Sequence, residues 1–355
     1  MDSGGALKFN PTTPYHNFQE QSNKEVIELK ENGFRKYLHK RGLLAKDIAS
    51  SVKAVKDFEE YLKEKESTLE AASVDELKQY ISQQIAEGKN SEDRFVAIAR
   101  YCYYMKKNDL YIYLVSILGA ANVLKDIGER LGAIAGGEIR QRVYEEIEFP
   151  QLGAPQEDYP ELTKKILARM EAELPQAACR DIMTWNYHKV PAAAFDEAKK
   201  RFQKAKSIDE YLKGEHKRLV DELESHMKQG RLWFEQEITP EVLEFVKSNQ
   251  EINTGVRRGD RIFKTKIPYA PKQFLKENNP NLRRYYACHC QLVRTAIRKG
   301  KPRISPTFCY CSGGYEKLHF NVIFDENVEV ELLETLLKGD NRCRFAIKIP
   351  KGKMK

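Results

Sequence analysis

The pattern of apolar residues in the first third of the chain predicts a set of helices. From about residue 26 to 133, apolar residues recur at spacings of three and four, the period of one face of an α-helix. Ser73 and Ser91 each precede such a segment with carboxylates in its first turn, which predicts N-caps. We therefore predict an all-helical domain over residues 26–149, after a polar, flexible tail over residues 1–25.

Glycine and proline then interrupt the helical pattern. PQLGAPQEDYP at 150–160 concentrates both residues and predicts a linker. The helical period returns from 161 to about 250, where Ser207 and Glu210 have the spacing of a capping box. Pro240 has the position that proline prefers at the first turn of a helix, so a further helix is predicted to begin there.

The pattern changes again at about residue 251. RIFKTKIPY alternates as a strand does, and NVEVELLETLL and RCRFAIKIP predict two more strands joined by the turn KGDN. SGGYEKLHFNVIF, after a glycine pair, predicts a helix. The predicted fold class is therefore α+β: an N-terminal all-helical domain, a helical middle, and a C-terminal α+β domain with an antiparallel sheet. The last two together form residues 161–355.

Length and cysteine content narrow the class of protein. A chain of 355 residues is long enough for two or three domains. Its longest apolar stretch, LYIYLVSILGAANVL at 110–124, is short for a bilayer span and predicts a buried helix, so no membrane partner is expected. The N-terminus lacks the apolar segment of an export signal. Seven cysteines in such a chain suit reduced thiols in the cytoplasm.

The positive charge is concentrated in the C-terminal third. Residues 31–130 carry 17 Lys/Arg and 16 Asp/Glu, a net charge of +1. Residues 251–355 carry 22 and 10, a net charge of +12, and most of this excess lies in 251–303. A local positive field suits an anionic small molecule, an acidic partner or nucleic acid.

The N-terminal helices resemble the core-binding domain of phage-type integrases. The likeness lies in FRKYLHKRGLL, a long helix ending FEEYLKEK, DELKQYISQQI and SEDRFVAIARYCYYMKK. Integrase catalysis also needs a His-x-x-Arg pair, and none of the seven histidines is followed by arginine at the third position. Recombinase activity is therefore not expected, and the net charge of +1 disfavours DNA binding by this domain.

Two pairs of cysteines form the most concentrated chemistry in the sequence. YYACHCQLVR contains Cys288 and Cys290 on either side of His289, and PTFCYC contains Cys309 and Cys311. On a strand, residues two apart share a face, so the two thiols of the first pair would point together and His289 the other way. Four thiolates could hold a tetrahedral zinc, so zinc is the candidate cofactor. A reduced apolar core and a catalytic thiol are the two alternatives.

The C-terminal segment resembles a small-molecule-binding module. CYCSGGYEKLHFNVIFDENVEVELLETLLKGDNRCRFAI is similar to the end of the four-vinyl-reductase domain and to L-2-amino-thiazoline-4-carboxylate hydrolase-like proteins. More widely, TWNYHKVP, KIPY and YYACHC within 180–350 resemble a bacterial family that has this C-terminal domain and no assigned activity. The resemblance implies binding of a small molecule, with hydrolysis as an extension.

The zinc site of that module is only half retained. Its zinc-binding members use an early Cys, a Glu-x-x-Cys on the strand and a last Cys. Cys309 and Cys343 fall at the first and last positions, but Leu332 and Thr335 fall at the middle two. A metal would therefore also need thiols from the remaining candidates, and the full metal set is Cys288, Cys290, Cys309, Cys311 and Cys343.

Further residues are candidates for ligand binding and catalysis. Cationic side chains could hold a carboxylate or phosphate, and the candidates for the ligand site are Arg284, Arg294, Lys266, His289 and Tyr310. A thiolate could act as nucleophile with an imidazole as base, and the candidates are Cys288, Cys309, His188 and His319. His188 lies in a loop before a proline, and His319 lies in a predicted helix.

Three functions follow from these candidates, in order of preference. The first is binding of a small, anionic molecule in the cysteine-rich C-terminal domain. The second is a thiol-dependent hydrolase of a small carbon–nitrogen or cyclic amidine substrate. The third is a ligand-responsive regulator that binds nucleic acid. The sequence contains no P-loop, His-Glu-x-x-His or Gly-x-Ser-x-Gly motif, which disfavours those enzyme classes.

Overall fold

The first third of the structure is helical, as predicted. The computed structural model describes residues 30–119 and 122–353, and the predicted tail at 1–25 lies outside them. The N-terminal helices are α1 (30–40), α2 (Ala45–Glu64), α3 (Val74–Ala86), α4 (Glu92–Tyr104) and α5 (Asn108–Leu118). Their apolar faces form the first core, in which Phe34, Phe58, Phe95 and Leu114 are buried.

Serine caps fix the starts of two of these helices. The Ser73 hydroxyl accepts a hydrogen bond from Glu76 N at 3.2 Å, and the Glu76 carboxylate accepts one from Ser73 N at 2.8 Å. This reciprocal pair satisfies two backbone donors at the start of α3. Ser91 caps α4 by accepting from Arg94 N at 3.3 Å. Both predicted N-caps are confirmed.

A second set of helices follows along the chain. They are α6 (Val123–Ala135), α7 (Gly137–Tyr144), α8 (Tyr159–Glu173), α9 (Gln176–Met183), α10 (Asp196–Lys204), α11 (Ile208–Lys228) and α12 (Pro240–Lys247). Ser207 caps α11 by accepting from Glu210 N at 3.1 Å, and Pro240 begins α12. Both start signals are confirmed.

The helices α6 and α7 pack with the later part of the chain. Val123, Leu124 and Ile127 of α6 belong to the same cluster of buried side chains as Cys288 and Phe308, which we call the second core. The proposed linker at 150–160 lies between the two cores, because Asn90 donates to Leu152 O at 2.9 Å and Thr295 donates to Gln156 O at 3.3 Å. The placement of the domain boundary within this region remains a prediction.

One stretch in the described part of the chain could cross a membrane by length and composition alone. It covers 108–135 and includes α5 and α6. Leu114 and Ile117 lie in the first core, and Leu124 and Ile127 lie in the second. Buried core helices of folded proteins pass the same test of length and composition, so this stretch is weak evidence for a membrane span.

The C-terminal part combines helices with a four-stranded antiparallel sheet. The strands are β1 (Val256–Arg258), β2 (Arg261–Thr265), β3 (Val330–Glu334) and β4 (Arg344–Lys348), in the order β1-β2-β4-β3. The helices are α13 (Pro271–Lys276), α14 (Pro280–Ala287), α15 (Arg294–Lys299) and α16 (Tyr310–Phe324). The predicted α+β fold with an antiparallel C-terminal sheet is confirmed.

Helix α16 covers one face of this sheet. Phe320 and Phe324 of α16 are buried in one cluster with Ile262 of β2 and Ile347 of β4, which are register partners. Gly313 allows the helix to approach β3, because a Cβ atom there would lie 3.2 Å from Leu332 Cδ2. This packing places the N-terminal half of α16 beside the end of β2.

The prediction of a strand through the Cys-His-Cys segment is wrong. Asn279 accepts hydrogen bonds from the first turn of α14, which continues to Ala287. Cys288 ends this helix with φ −80° and ψ 120°, and its N–H still bonds to Arg284 O at 3.1 Å. The chain then turns, and Arg294 N bonds to Cys290 O at 3.0 Å as α15 begins. The alternation of faces that a strand would impose on Cys288, His289 and Cys290 is therefore not present.

Candidate functional site

A large cavity lies between the first core and the C-terminal domain. Its volume is about 580 Å³. Val115 and Ser116 of α5 line it from the N-terminal side, and Leu219 of α11 lines it from the helical middle. The opposite wall contains β2 residues and one face of α16, together with the segment that links α14 to α15.

All five C-terminal cysteines line this cavity. Three separate elements provide them: the end of α14 and the turn after it, the start of α16, and the residue before β4. They are Cys288, Cys290, Cys309, Cys311 and Cys343. All seven cysteines are free thiols, and the other two, Cys102 and Cys179, are buried in the first and second cores away from the cavity lining. The structure thus places the five predicted cysteines along one cavity.

Burial keeps these thiols protonated. Loss of hydration raises the pKa of Cys288, Cys290 and Cys343 to about 12, and the neighbouring thiols add to the effect for each of them. The same cause raises the pKa of Cys311 to about 11 and that of Cys309 well above its ordinary value. Nucleophilic attack requires the thiolate, so the cavity disfavours a catalytic thiol.

The thiols do not form a zinc site. Within residues 30–119 and 122–353, no three His, Cys, Asp or Glu side chains lie in an arrangement that could hold a metal ion. Leu332 and Thr335, which occupy the middle positions of the zinc motif in the resembling module, are both buried and offer no strong ligand. The predicted set of five cysteines therefore does not fit a resident zinc, and no step is derived through one.

We expect the five cavity cysteines to alkylate slowly in the folded protein. A thiol of pKa about 12 has far less thiolate at neutral pH than a free thiol, so reaction with iodoacetamide should be at least about tenfold slower than for glutathione. Rates for each cysteine can be measured by peptide mass spectrometry at pH 7. Protein in urea is the control, because all seven thiols should then react at the free-thiol rate. A cysteine that reacts faster than glutathione in the native protein would contradict this expectation.

The three candidate histidines also line the cavity, but none is paired with a thiol. His289 Nε2 donates to Ile267 O at 2.7 Å, and burial lowers the pKa of His289 to about 3. His319 Nε2 hydrogen-bonds Tyr211 Oη at 2.6 Å, and burial lowers its pKa to about 3 as well. His188 is an exposed residue of the lining, with its ring 5.3 Å from that of Tyr315. No hydrogen bond joins an imidazole to a cavity thiol in the described part of the chain.

A buried cluster of charges forms one wall of the cavity. Glu316 Oε2 lies 2.7 Å from Lys264 Nζ, and Glu316 Oε1 lies 3.4 Å from Lys266 Nζ. Lys266 Nζ also donates to Ser312 Oγ at 3.1 Å. We call Lys264, Lys266 and Glu316 the ion cluster. It combines two ammonium groups with one carboxylate, so it carries a net charge of +1.

The ion cluster is buried, and the pKa values of Glu316 and Lys266 are shifted by their charged partners. The side chains of Lys264 and Glu316 are 9% and 2% exposed. Burial alone would raise the pKa of the Glu316 carboxyl, but the ammonium groups of Lys264 and Lys266 bring it down to about 2. Burial alone would lower the pKa of Lys266, but Glu316 raises it above its ordinary value. Glu316 and Lys266 are therefore both charged at neutral pH.

Local structure explains how the cluster forms. Ile262 and Lys264 are two residues apart on β2 and share the face that packs against α16. Lys266 lies on the same side just beyond the strand, and its N–H extends the ladder to Cys343 O at 2.9 Å. Ser312 and Glu316 are four residues apart on α16, so one face of this helix presents both side chains to Lys266.

Four buried polar atoms of the cavity lining make no well-formed hydrogen bond in the described protein: Gln236 Oε1, Thr254 Oγ1, Tyr269 Oη and Glu316 Oε2. Glu316 Oε2 lies 2.7 Å from Lys264 Nζ, and Tyr269 Oη lies beside Gln291. Gln236 and Thr254 are 3% and 7% exposed. A buried polar atom without a hydrogen-bond partner lowers the free energy of unfolding by about 1–3 kcal/mol. Hydrogen-bonding groups of a molecule inside the cavity would satisfy those of Gln236 and Thr254.

Three of the predicted ligand-binding residues lie outside the cavity lining, because each is engaged elsewhere. Arg284 donates to Gly339 O at 2.9 Å. Arg294 lies between the rings of Tyr269 and Tyr285, with its guanidinium carbon 4.3 and 4.2 Å from their centroids. Tyr310 packs against the second core. The remaining nine candidates line the cavity: Lys266, His188, His289, His319, Cys288, Cys290, Cys309, Cys311 and Cys343.

Several lining residues were not identified from the sequence. They are Ser312, Glu316, Gln236, Thr254 and Tyr269. Lys264 and Lys266, by contrast, had a sequence signal, because they alternate in RIFKTKIPY and a strand therefore places both lysines on one face. The partner carboxylate of this pair lies 50 residues later on another element, so local pattern gives no sign of it.

Comparison with known proteins gives one match. Residues 272–354 match a family model described as a family of unknown function, DUF6144. The matched segment is less than a quarter of the chain, but it contains all five cavity cysteines together with Glu316. No curated protein matches the chain. No solved structure matches it either.

Proposed function

We propose that this protein binds a small anionic molecule in the cavity, with Lys266 as the anchor of the anionic group. The ion cluster carries this proposal, because it leaves one net positive charge buried at the cavity wall. The cavity volume of about 580 Å³ falls in the range of about 300–1,000 Å³ that small-molecule pockets have. The proposed site of action is the cytoplasm, where the free thiols would stay reduced.

The donors around Lys266 suit a carboxylate or a similar oxyanion. Its ammonium group has three N–H donors, and Ser312 and Glu316 occupy two of them. Because Ser312 Oγ accepts from Lys266, the hydroxyl hydrogen of Ser312 is free for a second acceptor. An oxyanion bound here would therefore receive two hydrogen bonds and neutralise the excess charge of the ion cluster.

The side chains of the cavity favour binding over hydrolysis. The positions of Ser312, Lys266 and Glu316 resemble a nucleophile, its base and an orienting carboxylate. However, Glu316 raises the pKa of Lys266, so this lysine already holds the proton that a general base would have to accept. The thiols are protonated and have no imidazole partner, which removes the same support from a thiol-dependent hydrolase.

The basic C-terminal segment offers little support for a nucleic-acid-binding regulator. Many of its cations are paired with carboxylates of the same domain rather than gathered on an open surface. The pairs include Arg344 with Glu251, Arg342 with Glu334, Arg261 with Glu331, and Lys348 with Glu329. Such pairing reduces the field that a phosphate backbone would meet.

Replacing Lys266 should abolish most of the binding of a small oxyanion. The Lys266→Met variant loses a charge-assisted contact of about 1.5–3 kcal/mol, which corresponds to a Kd raised by at least about tenfold. Titration calorimetry with a panel of monocarboxylates, dicarboxylates and phosphate monoesters measures this. The matched control is Lys272→Met, because Lys272 is only partly buried, pairs with Glu237 at 2.6 Å and lies outside the cavity lining.

Two results would overturn the proposed function. One is that the wild-type protein binds no member of the panel with a Kd below about 10 mM, a binding free energy of about −2.7 kcal/mol. The other is that Lys266→Met binds the best oxyanion as tightly as Lys272→Met does. Thermal unfolding of both variants ensures that folded proteins are compared.

A further inference from the structure

A tight turn forms the cavity wall on the side of α11. Trp233 and Gln236 exchange both backbone hydrogen bonds at 2.9 Å, so Phe234 and Glu235 occupy the tip of the turn. Trp233 Nε1 donates to Glu222 at 3.0 Å and ties the turn to α11. All four residues of the turn line the cavity.

Glu235 differs from the other carboxylates of the cavity lining. Glu215 pairs with Arg201, whose Nε lies 2.5 Å away, and Glu222 accepts from Trp233. Glu316 belongs to the ion cluster. Glu235 has no ion pair in the described part of the chain, and the donor beside its carboxylate is its own backbone N–H. Burial raises the pKa of its carboxyl, and this N–H and the Lys266 ammonium offset the effect only in part.

Gln236, the residue after Glu235, also has an open hydrogen-bond acceptor. Gln236 Oε1 is an acceptor without a partner, and the residue is only 3% exposed. Tyr269 also lines the cavity, and the Glu235 carboxylate contributes, after burial, to its raised pKa. This part of the cavity therefore presents a carboxylate with open acceptor positions and an amide oxygen without an N–H donor.

We infer that the ligand carries a protonated amine as well as an anionic group, with the amine bound by Glu235 and Gln236 and the anion by Lys266. The ligand class is then a small amino acid or another amine-bearing oxyanion. An ammonium group supplies three N–H donors, which match the open acceptors of the turn. The Lys266 ammonium offsets part of the rise that burial causes in the pKa of Glu235, so the two charges act on the same part of the cavity, but no ion pair joins them, and a ligand with both charges can bridge them. This inference rests on the proposed function for its anionic half.

The test compares ligands that differ only in the amine. Titration calorimetry with the full-length protein measures the binding of glycine, 4-aminobutanoate and 6-aminohexanoate. Each amino acid is compared with the acid of the same chain length that lacks the amine. We expect one amino acid of this series to bind about tenfold or more tightly than its matching acid, the gain of a charge-assisted contact. The Glu235→Gln variant should lose most of this preference and still bind the acid. Glu237→Gln is the matched control, because Glu237 is exposed and pairs with Lys272 outside the cavity.

The outcomes separate the two proposals. If each amino acid and its matching acid bind equally, or if Glu235→Gln retains the full preference, the amine site is overturned and the anion site stands. If the preference persists while Lys266→Met leaves affinity unchanged, the anion site is overturned and the amine site stands. Absence of binding by every probe overturns both. Thermal unfolding of Glu235→Gln and Glu237→Gln shows that both variants are folded.

Discussion

Glu316→Gln is expected to lower the free energy of unfolding by about 3–5 kcal/mol. The substitution preserves shape but leaves Lys264 and Lys266 side by side without a counter-charge. Their side chains are only 9% and 14% exposed, so water cannot replace the lost carboxylate. Removing one partner of a buried ionic group lowers the free energy of unfolding by far more than the complete group adds to it, because the remaining charge stays buried without a counter-charge. This explains the size of the expected effect.

A matched exposed pair provides the control for this substitution. Glu331 of β3 pairs with Arg261 of β2 across the intervening strand β4, and the two side chains are 55% and 42% exposed. Glu331→Gln should change the unfolding free energy by less than about 1 kcal/mol, because solvent screens such a pair. Urea unfolding at pH 7 measures both variants. A loss in Glu316→Gln no larger than that in Glu331→Gln would refute the structural role of the ion cluster.

The same carboxylate should also give the wild-type protein its acid sensitivity. The pKa of Glu316 is about 2 in the folded protein and near 4.5 when the chain is unfolded. A depressed pKa contributes stability that is present above the unfolded value and is lost as pH falls toward the folded value. The wild-type protein should therefore lose more stability than Glu316→Gln between pH 5 and pH 2. Equal acid profiles for the two proteins would contradict a charged, paired Glu316.

Gly314→Ala is expected to lower the unfolding free energy by about 3 kcal/mol. A Cβ atom on Gly314 would lie 2.5 Å from both Trp185 N and Trp185 O, and 3.0 Å from Thr184 C. These are backbone atoms, so no side-chain rotation can relieve the contact, and α16 must move away from the segment at 184–185. The movement would also displace Ser312 and Glu316 from the cavity wall.

Gly214→Ala is the control that separates the steric effect of an added Cβ atom from its effect on backbone entropy. Gly214 lies inside α11, and a Cβ atom there would have no neighbour within 4 Å. Gly214→Ala should raise the unfolding free energy by about 0.5–1 kcal/mol, because alanine loses less conformational freedom in a helix. Urea unfolding of both variants gives the comparison. Similar changes in both would show that α16 does not depend on the close approach at Gly314.

Start and stop signals made most of the fold predictable from sequence. Ser73, Ser91 and Ser207 bond to the backbone of the helices that follow them, and Pro240 begins α12. These signals act within four residues, so the local sequence contains the whole cause. The strands β2 and β4 were recognisable for the same reason, since alternation along one strand reports which side faces the core.

The Cys-His-Cys segment shows where propensity was misleading. Tyr285 and Tyr286 favour a strand by composition, but the ring of Tyr285 packs on the guanidinium of Arg294, a contact between a helix and the start of the next one. Asn279 and Pro280 were the available signal, because the asparagine caps α14 and the proline begins it. The tertiary contact and this cap outweighed the aromatic propensity.

The site itself was predictable in composition but not in arrangement. Nine of the named candidates line one cavity, and most of them are the cysteines and histidines concentrated in the C-terminal sequence. What turns the cavity into a charged site is Glu316 beside Lys264 and Lys266, and this depends on how α16 packs on β2. Gln236 and Glu235 depend likewise on a turn whose position is set by Glu222.

The cavity has walls from both halves of the chain, and this links its occupancy to the stability of both. Val115 and Ser116 project from the helix that contributes Leu114 to the first core, while Lys266 and Cys288 belong to the C-terminal part. A ligand that requires both walls binds only when both are folded. By mass action, a ligand at one hundred times its Kd adds about 2.7 kcal/mol to the free energy of unfolding of the two parts together. The bound molecule would thereby act as a cross-link without a covalent bond, and the two cores would melt as one unit.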